Sequence, residues 1–176
     1  MVEVTLPIAT GTNGYKKFTI ADSGFDCGPC DIFTFYVDIN QMKKNQIPIE
    51  ANVRNPALNT KATRAMAKTL TDVKERKRMW AYNGGLIVIC EKAVHTSSGT
   101  IKLTIPPEYG LLNGGHTQMA ICKALEKEAG PGSFVRVEAL KGTFTNTEIA
   151  RIARARNTSK GVGLTSLLNK EGVFSE

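Results

Sequence analysis

The chain reads as a single α+β domain in which helices pack on a mixed sheet, and three observations predict it. Short β-prone segments recur along its length, two stretches combine helical apolar spacing with capping residues, and one strand runs through Gly114-Gly115 straight into a helix. With 176 residues, 41% apolar and 22% charged, the chain is large enough to bury a core and ordinary enough in composition to need no disulfide or lipid support.

The elements follow in order. Met1 to Ser23 alternates Val2, Val4, Leu6 and Ile8 with turn residues at Gly11 to Gly14, then continues through Tyr15 to Ile20, which predicts a hairpin or a pair of edge strands. Cys27-Gly28-Pro29-Cys30 has the spacing of a redox pair, but such a site wants a helix beginning at the second cysteine. Here Phe33 to Ile39 is aromatic and β-branched and reads as a strand, which favours a structural turn; a zinc site lacks its second pair of ligands. No metal site is expected. Asn40 to Asn45 reads as a turn or short helix, and Gln46 to Val53 as extended chain.

Asn59 or Thr60 can cap a helix running to about Met79, with Ala62, Met66, Leu70, Val73 and Trp80 on one face and Lys61, Arg64, Lys68, Lys74 and Arg78 on the other. Strands follow at Leu86 to Ile89 and Thr100 to Ile105, the latter paired with the segment before it, and another at Ser133 to Lys141. Thr145 and Glu148 form a capping box opening a helix that buries Ile149, Ile152 and Ala153.

The stretch from Leu111 to Leu125 combines a backbone device with polar chemistry. Gly114 and Gly115 turn a strand into a helix carrying Met119, Ile121, Cys122 and Leu125, with Gly130-Pro131 as its stop. A helix start offers unpaired N–H groups and partial positive charge, and flanking glycines let an anion come close. His116, Thr117 and Gln118 lie in that first turn and can add donors. The expected guest is a phosphate; the alternative is a turn in which Gly-Gly solves only a backbone problem and His116 is a cap.

Charge is localised. Between Met42 and Trp80 there are ten basic and three acidic residues, an excess of +7 that equals the excess of the whole chain. Such a field favours polyanions. No aromatic residue is interleaved with the helical stripe itself, so base stacking is not expected from the sequence. The longest apolar run, Leu86 to Cys90, is too short to span a bilayer, and the start lacks a signal-like segment, which predicts a soluble cytoplasmic protein with no membrane partner.

Four segments carry a resemblance. Leu112-Asn113-Gly114-Gly115-His116-Thr117 is similar to a "VNGxQT" segment, Trp80 to Cys90 to "FWYxNNGITIIC", Ala155 to Ser159 to "ATNSQ", and Asn52-Val53-Arg54-Asn55-Pro56 less completely to "NVRGP". Together, and in this order, they resemble the abortive infection phage resistance (AIPR) family, over roughly Asn52 to Ser159. Members are usually much longer, so the chain looks like a minimal core. The strand, glycine turn, His and helix also resemble the "DGxHR" segment of the ParB/sulfiredoxin superfamily, although Asn113 and Thr117 stand where those proteins often have Asp and Arg.

The resemblance implies a ParB/sulfiredoxin-like core over 32–160, preceded by a β extension at 1–31 and followed by a tail at 161–176. It implies a phosphate or nucleotide site formed by Arg54, Asn83, Gly84, Gly114, Gly115, His116, Thr117, Gln118, Arg156 and Asn157, for which a nucleoside triphosphate with Mg is the conceivable ligand. Arg54 is either a clamp or a surface arginine, and Arg151, Arg154 and Arg156 also suit a helix C-terminus. A connection with phage–host conflict follows from the same resemblance.

Other readings stay open. The Lys61, Arg64, Lys68, Lys74 and Arg78 stripe would suit a DNA- or RNA-binding module without a nucleotide site, and a non-enzymatic phage or host interaction protein also fits. A nuclease or nucleotide hydrolase has no convincing catalytic set: the acids are dispersed and His116 is the only candidate.

Overall fold

The computed structural model describes residues 1–52, 56–57, 59–126 and 132–157, with the side chain of Asn157 outside that set. In chain order the elements are β1 (Val2–Pro7), β2 (Tyr15–Ile20), β3 (Cys30–Asp38), α1 (Lys61–Thr71), α2 (Met79–Tyr82), β4 (Leu86–Cys90), β5 (Lys92–His95), β6 (Thr100–Ile105), β7 (Gly110–Asn113), α3 (Gly115–Leu125), β8 (Phe134–Lys141) and α4 (Asn146–Asn157). Short 3-10 turns occupy Ile39–Gln41 and Glu75–Arg78.

Two sheets result. One is antiparallel in the order β1-β6-β5; the other is mixed, in the order β2-β3-β8-β4-β7. Among the described residues only the β4–β8 pair is parallel, with Leu86 opposite Val137 and Cys90 opposite Lys141. The N-terminal hairpin expected as one possibility does not form: β1 pairs with β6 and β2 with β3, so each is the edge of a different sheet. The physical reason lies in burial. Val4 and Leu6 are inward partners for Leu103 and Ile101 on β6, whereas β2 is exposed along most of its length.

Strand alternation sets the core. Phe33, Phe35 and Val37 on β3 and Val135, Val137 and Ala139 on β8 point inward, and all five residues of β4 are buried. A central strand covered on both faces reads as a continuous apolar run, as Leu86 to Cys90 does. These residues form one core cluster with Ile101, Leu103 and Ile105 of the smaller sheet and Ile121 and Ala124 of α3. The described residues therefore make one α+β domain with a mixed sheet, as expected. No helix among them is long and apolar enough to cross a membrane.

Two helices match their sequence signals closely. Thr60 caps α1 by accepting from the Thr63 N–H at 3.1 Å. The α4 capping box is complete: Glu148 accepts from the Thr145 N–H at 2.7 Å, and Thr145 Oγ1 from the Glu148 N–H at 3.3 Å.

The long basic helix is a correction. It stops at Thr71, because Asp72 leaves the helical region and its carboxylate accepts from the N–H groups of Lys74 and Glu75 at 2.8 and 2.9 Å, starting a new turn. A short acidic side chain here offers the backbone a local alternative to the helical ladder. The expected apolar face breaks with it: Leu70 is buried, but Val73 and Trp80 are exposed, and Met79 takes the inward place instead. Lys74 and Arg78 consequently leave the phase of Lys61, Arg64 and Lys68.

At the Cys27 to Cys30 turn, Gly28 has φ +74° and Cys30 opens β3 directly. No helix follows the second cysteine, in keeping with the strand expected there.

Candidate functional site

The segments behind the resemblance converge on the junction of β7 with α3. Gly114 has φ +99°, where an L side chain is strained, and a Cβ there would sit 2.7 Å from Leu86 Cδ2 and 2.8 Å from the Gly85 carbonyl oxygen. A Cβ on Gly115 would meet Asn52 Nδ2 and Pro56 Cγ at 2.6 Å each. The glycines thus admit two other segments of the chain: the turn before β4 on one side and the strip around Asn52 and Pro56 on the other.

The polar groups at this junction largely satisfy one another. Asn83 Oδ1 accepts from the Gly85 N–H at 2.8 Å, shaping the turn into β4, while Asn83 Nδ2 donates to Thr117 Oγ1 at 3.0 Å. Thr117 is buried. Gln118, expected among the ligand-binding residues, is 5% exposed and bonds to the backbone: its Oε1 accepts from the Ile47 N–H at 2.9 Å and its Nε2 donates to the Ile47 carbonyl at 2.8 Å. A primary amide matches a peptide group donor for acceptor, so Gln118 satisfies the backbone of a buried residue that no strand pairs. Next to it, the Pro48 carbonyl accepts from the Leu111 N–H at 2.7 Å, which covers the outer edge of β7.

Arg156 reaches the same region through its backbone. Its carbonyl accepts from Asn113 Nδ2 at 2.9 Å, while its guanidinium pairs with Glu138 at 3.0 Å. The cation expected for the glycine turn is therefore neutralised on the outer face of the large sheet. His116, half-buried, lies in the first turn of α3, where N–H groups lack partners within the helix. Arg54 and the Asn157 side chain lie outside the described residues.

Arg136, which the sequence motifs do not single out, donates from Nη2 to the Gly84 carbonyl at 3.0 Å. It stands opposite Tyr36 on the outward side of β8, and no carboxylate pairs with it among the described residues. The alternation Phe134, Arg136, Glu138 in the sequence was the available signal, since it places three non-core residues on one face. Close beside Gly85 the chain allows no larger residue: φ is +88° and a Cβ would lie 2.6 Å from the Arg136 carbonyl oxygen.

A second surface lies along α1, the 3-10 turn and α2. Lys61, Arg64, Lys68 and Lys74 are exposed, and none forms an ion pair among the described residues; Arg78 pairs with Glu75 at 3.0 Å. Arg78 also bonds the Tyr82 side chain, which raises its pKa further. Trp80 is 53% exposed and Tyr82 59%, directly after Lys77 and Arg78. Trp80 borders a shallow hollow of about 290 Å³ with Thr12, Tyr36 and Phe134. Aromatic side chains thus accompany the cations after all, because the break at Asp72 turns Trp80 outward.

His95, the only other histidine, is stacked on Tyr15 with ring centroids 4.6 Å apart, on β5 of the smaller sheet. It takes no part in the β7–α3 junction.

No curated protein and no solved structure matches the chain. A family model described as "AIPR protein" matches residues 49–175, from just before the strip that packs on Gly115. That match covers well over half of the sequence and includes β7, α3, the turn before β4 and the strip around Asn52 and Pro56, so the chain belongs to the AIPR family.

Proposed function

We propose that the chain is a nucleic-acid-binding domain, in keeping with the role in abortive infection and phage resistance that AIPR membership suggests. The observation that carries this reading is the surface from Lys61 to Tyr82. It combines exposed Lys61, Arg64, Lys68 and Lys74, which form no ion pair among the described residues, and Arg78, which pairs with Glu75, with two exposed aromatic rings. Phosphates of a single strand would lie along Lys61, Arg64, Lys68, Lys74 and Arg78, and unstacked bases would rest on Trp80 and Tyr82.

Fluorescence anisotropy of a labelled single strand across a salt series tests it. Log affinity should fall linearly with log salt, and the double variant Arg64→Gln/Lys68→Gln should reduce the slope by roughly 0.7 for each phosphate it leaves without a cation. Trp80→Ala should cost about 1–3 kcal/mol on a single strand and much less on a duplex. Binding that ignores salt, or is unchanged in all these variants, would sink the reading.

A phosphate or nucleotide site at the start of α3 is the second reading, supported by the N–H groups of its first turn beside His116 and by Arg136 at Gly84. Nucleotides with and without Mg should then raise the melting temperature, by an amount that Arg136→Gln diminishes. No ATP, CTP, GTP or UTP response would leave the nucleic-acid surface as the only site. Catalysis has no assigned residue beyond His116, and cleavage surviving His116→Ala would remove it.

A further inference from the structure

The turn before β3 holds a pair of thiols that lies outside the family match and away from the proposed nucleic-acid surface. Cys27 Sγ and Cys30 Sγ lie 3.3 Å apart, and a disulfide needs a separation of about 2.05 Å, so closure asks the sulfurs to approach by only about 1 Å. Gly28, at φ +74° with open space around it, provides the bend that brings the sulfurs together.

The two cysteines differ in access. Cys27 is half-buried, whereas Cys30 is buried, at 7% exposed. The loop ahead of them is already folded: Ser23 Oγ donates to the Gly28 carbonyl and accepts from the Phe25 N–H at 3.2 Å, and the Gly28 N–H donates to the Phe25 carbonyl at 3.1 Å. Cys90 and Cys122 offer a contrast. Cys90 is fully buried, and that burial pushes its thiol up to about 12; Cys122 lies on α3.

We propose that Cys27 and Cys30 form a redox site that takes small, water-soluble disulfides as its substrate. Cys27, as thiolate, attacks one sulfur of the small disulfide and expels its first thiolate, leaving a mixed disulfide on Cys27. Cys30 then gives up its proton to water and attacks the Cys27 sulfur, expelling the second thiolate, and the two expelled thiolates take up the protons that Cys27 and Cys30 released. The protein gives up two electrons and gains one internal S–S bond, and the small disulfide leaves as two thiols. Burial raises the Cys30 thiol, which suits the second, intramolecular step better than the first.

Closure would tie down the loop that docks on α4. Phe25 packs edge-on against Phe144 at 5.2 Å, and the Asp26 N–H donates to Glu148 at 3.4 Å, in the first turn of that helix. The oxidised protein should therefore melt higher than the reduced protein.

Native protein is incubated with oxidised glutathione, and thiol counting is combined with mass mapping of cysteine peptides. The wild type should lose two of its four thiols, both at Cys27 and Cys30, with the mass change of two hydrogens and no retained adduct. Cys30→Ser should trap glutathione on Cys27, and Cys27→Ser should leave Cys30 unreacted. Four free thiols in the treated native wild type, or a glutathione adduct that persists on its Cys27, would overturn the proposal. The wild-type result alone decides it should either variant fold poorly.

Discussion

The β7–α3 junction and the α1–α2 surface both carry polar groups but use them in opposite ways. At the junction, Asn83, Thr117, Gln118 and Asn113 each bond to other parts of the chain, and Gly85, Gly114 and Gly115 are pressed against neighbouring atoms. On the surface, Lys61, Arg64, Lys68 and Lys74 point to solvent with no carboxylate in ion-pair range among the described residues. The motif residues hold segments together, with Arg136 beside Gly84 as a nearby cation unpaired among the described residues, and the row of exposed cations lies on α1 and the turn after it. A motif can thus mark where a family's fold is pinned as readily as where it binds.

The sharpest way to break this comparison is at the glycines. Gly85→Ala and Gly114→Ala each combine a positive φ with backbone contacts under 3 Å. Strain of about 1–3 kcal/mol and overpacking of similar size predict a total loss of about 2–5 kcal/mol in urea unfolding. Gly84→Ala, one residue away with nothing within 4 Å and no positive φ, should stay within about 0.5 kcal/mol. If Gly114→Ala proves neutral while nucleotide binding disappears, the turn is a ligand cradle and the comparison fails.

Gln118→Met comes next. The replacement has nearly the same volume but leaves the N–H and C=O of Ile47 without partners, so a cost of about 2–4 kcal/mol is expected. The same unfolding measurement reads it. A change below about 0.5 kcal/mol would mean that water replaces the amide easily, and that Gln118 is free to serve a ligand after all.

The smallest effect concerns cations that do have a partner. Burial on its own raises the Asp31 carboxyl, but bonds from Lys141, Thr19 and Lys17 outweigh it and bring the group to about 2. The unfolded chain returns to the ordinary value of 3.8, so the stabilisation is complete above that pH and is lost as the pH falls through 2. Both lysine heads are partly exposed, which limits the contribution to about 1–2 kcal/mol. Acid unfolding curves should show this limb in the wild type and a shallower one in Asp31→Asn. An identical acid limb in both would mean that these lysines stabilise the fold no more than those of α1 do.

Much of the fold was legible from residues alone. Strand alternation in β3, β6 and β8, the continuous apolar run of β4, the Thr60 cap and the Thr145–Glu148 box are local signals, and local signals survive folding when the rest of the chain agrees with them. The helix expected to continue to Met79 failed for the same local reason, since Asp72 caps the next turn more favourably than it continues the last.

The sequence by itself determined most of the strands, the starts of α1, α3 and α4, the α+β class, the concentration of positive charge before Trp80 and the four family segments that led to the AIPR assignment. Only the tertiary structure decided that β1 and β2 belong to different sheets, that Gln118 serves Ile47, that the Arg156 guanidinium faces Glu138, and that Trp80 points to solvent. The physical reason is that elements follow from neighbours within a few residues. Whether a polar group is free for a ligand depends on partners such as Ile47, 71 residues from Gln118, which no local pattern specifies.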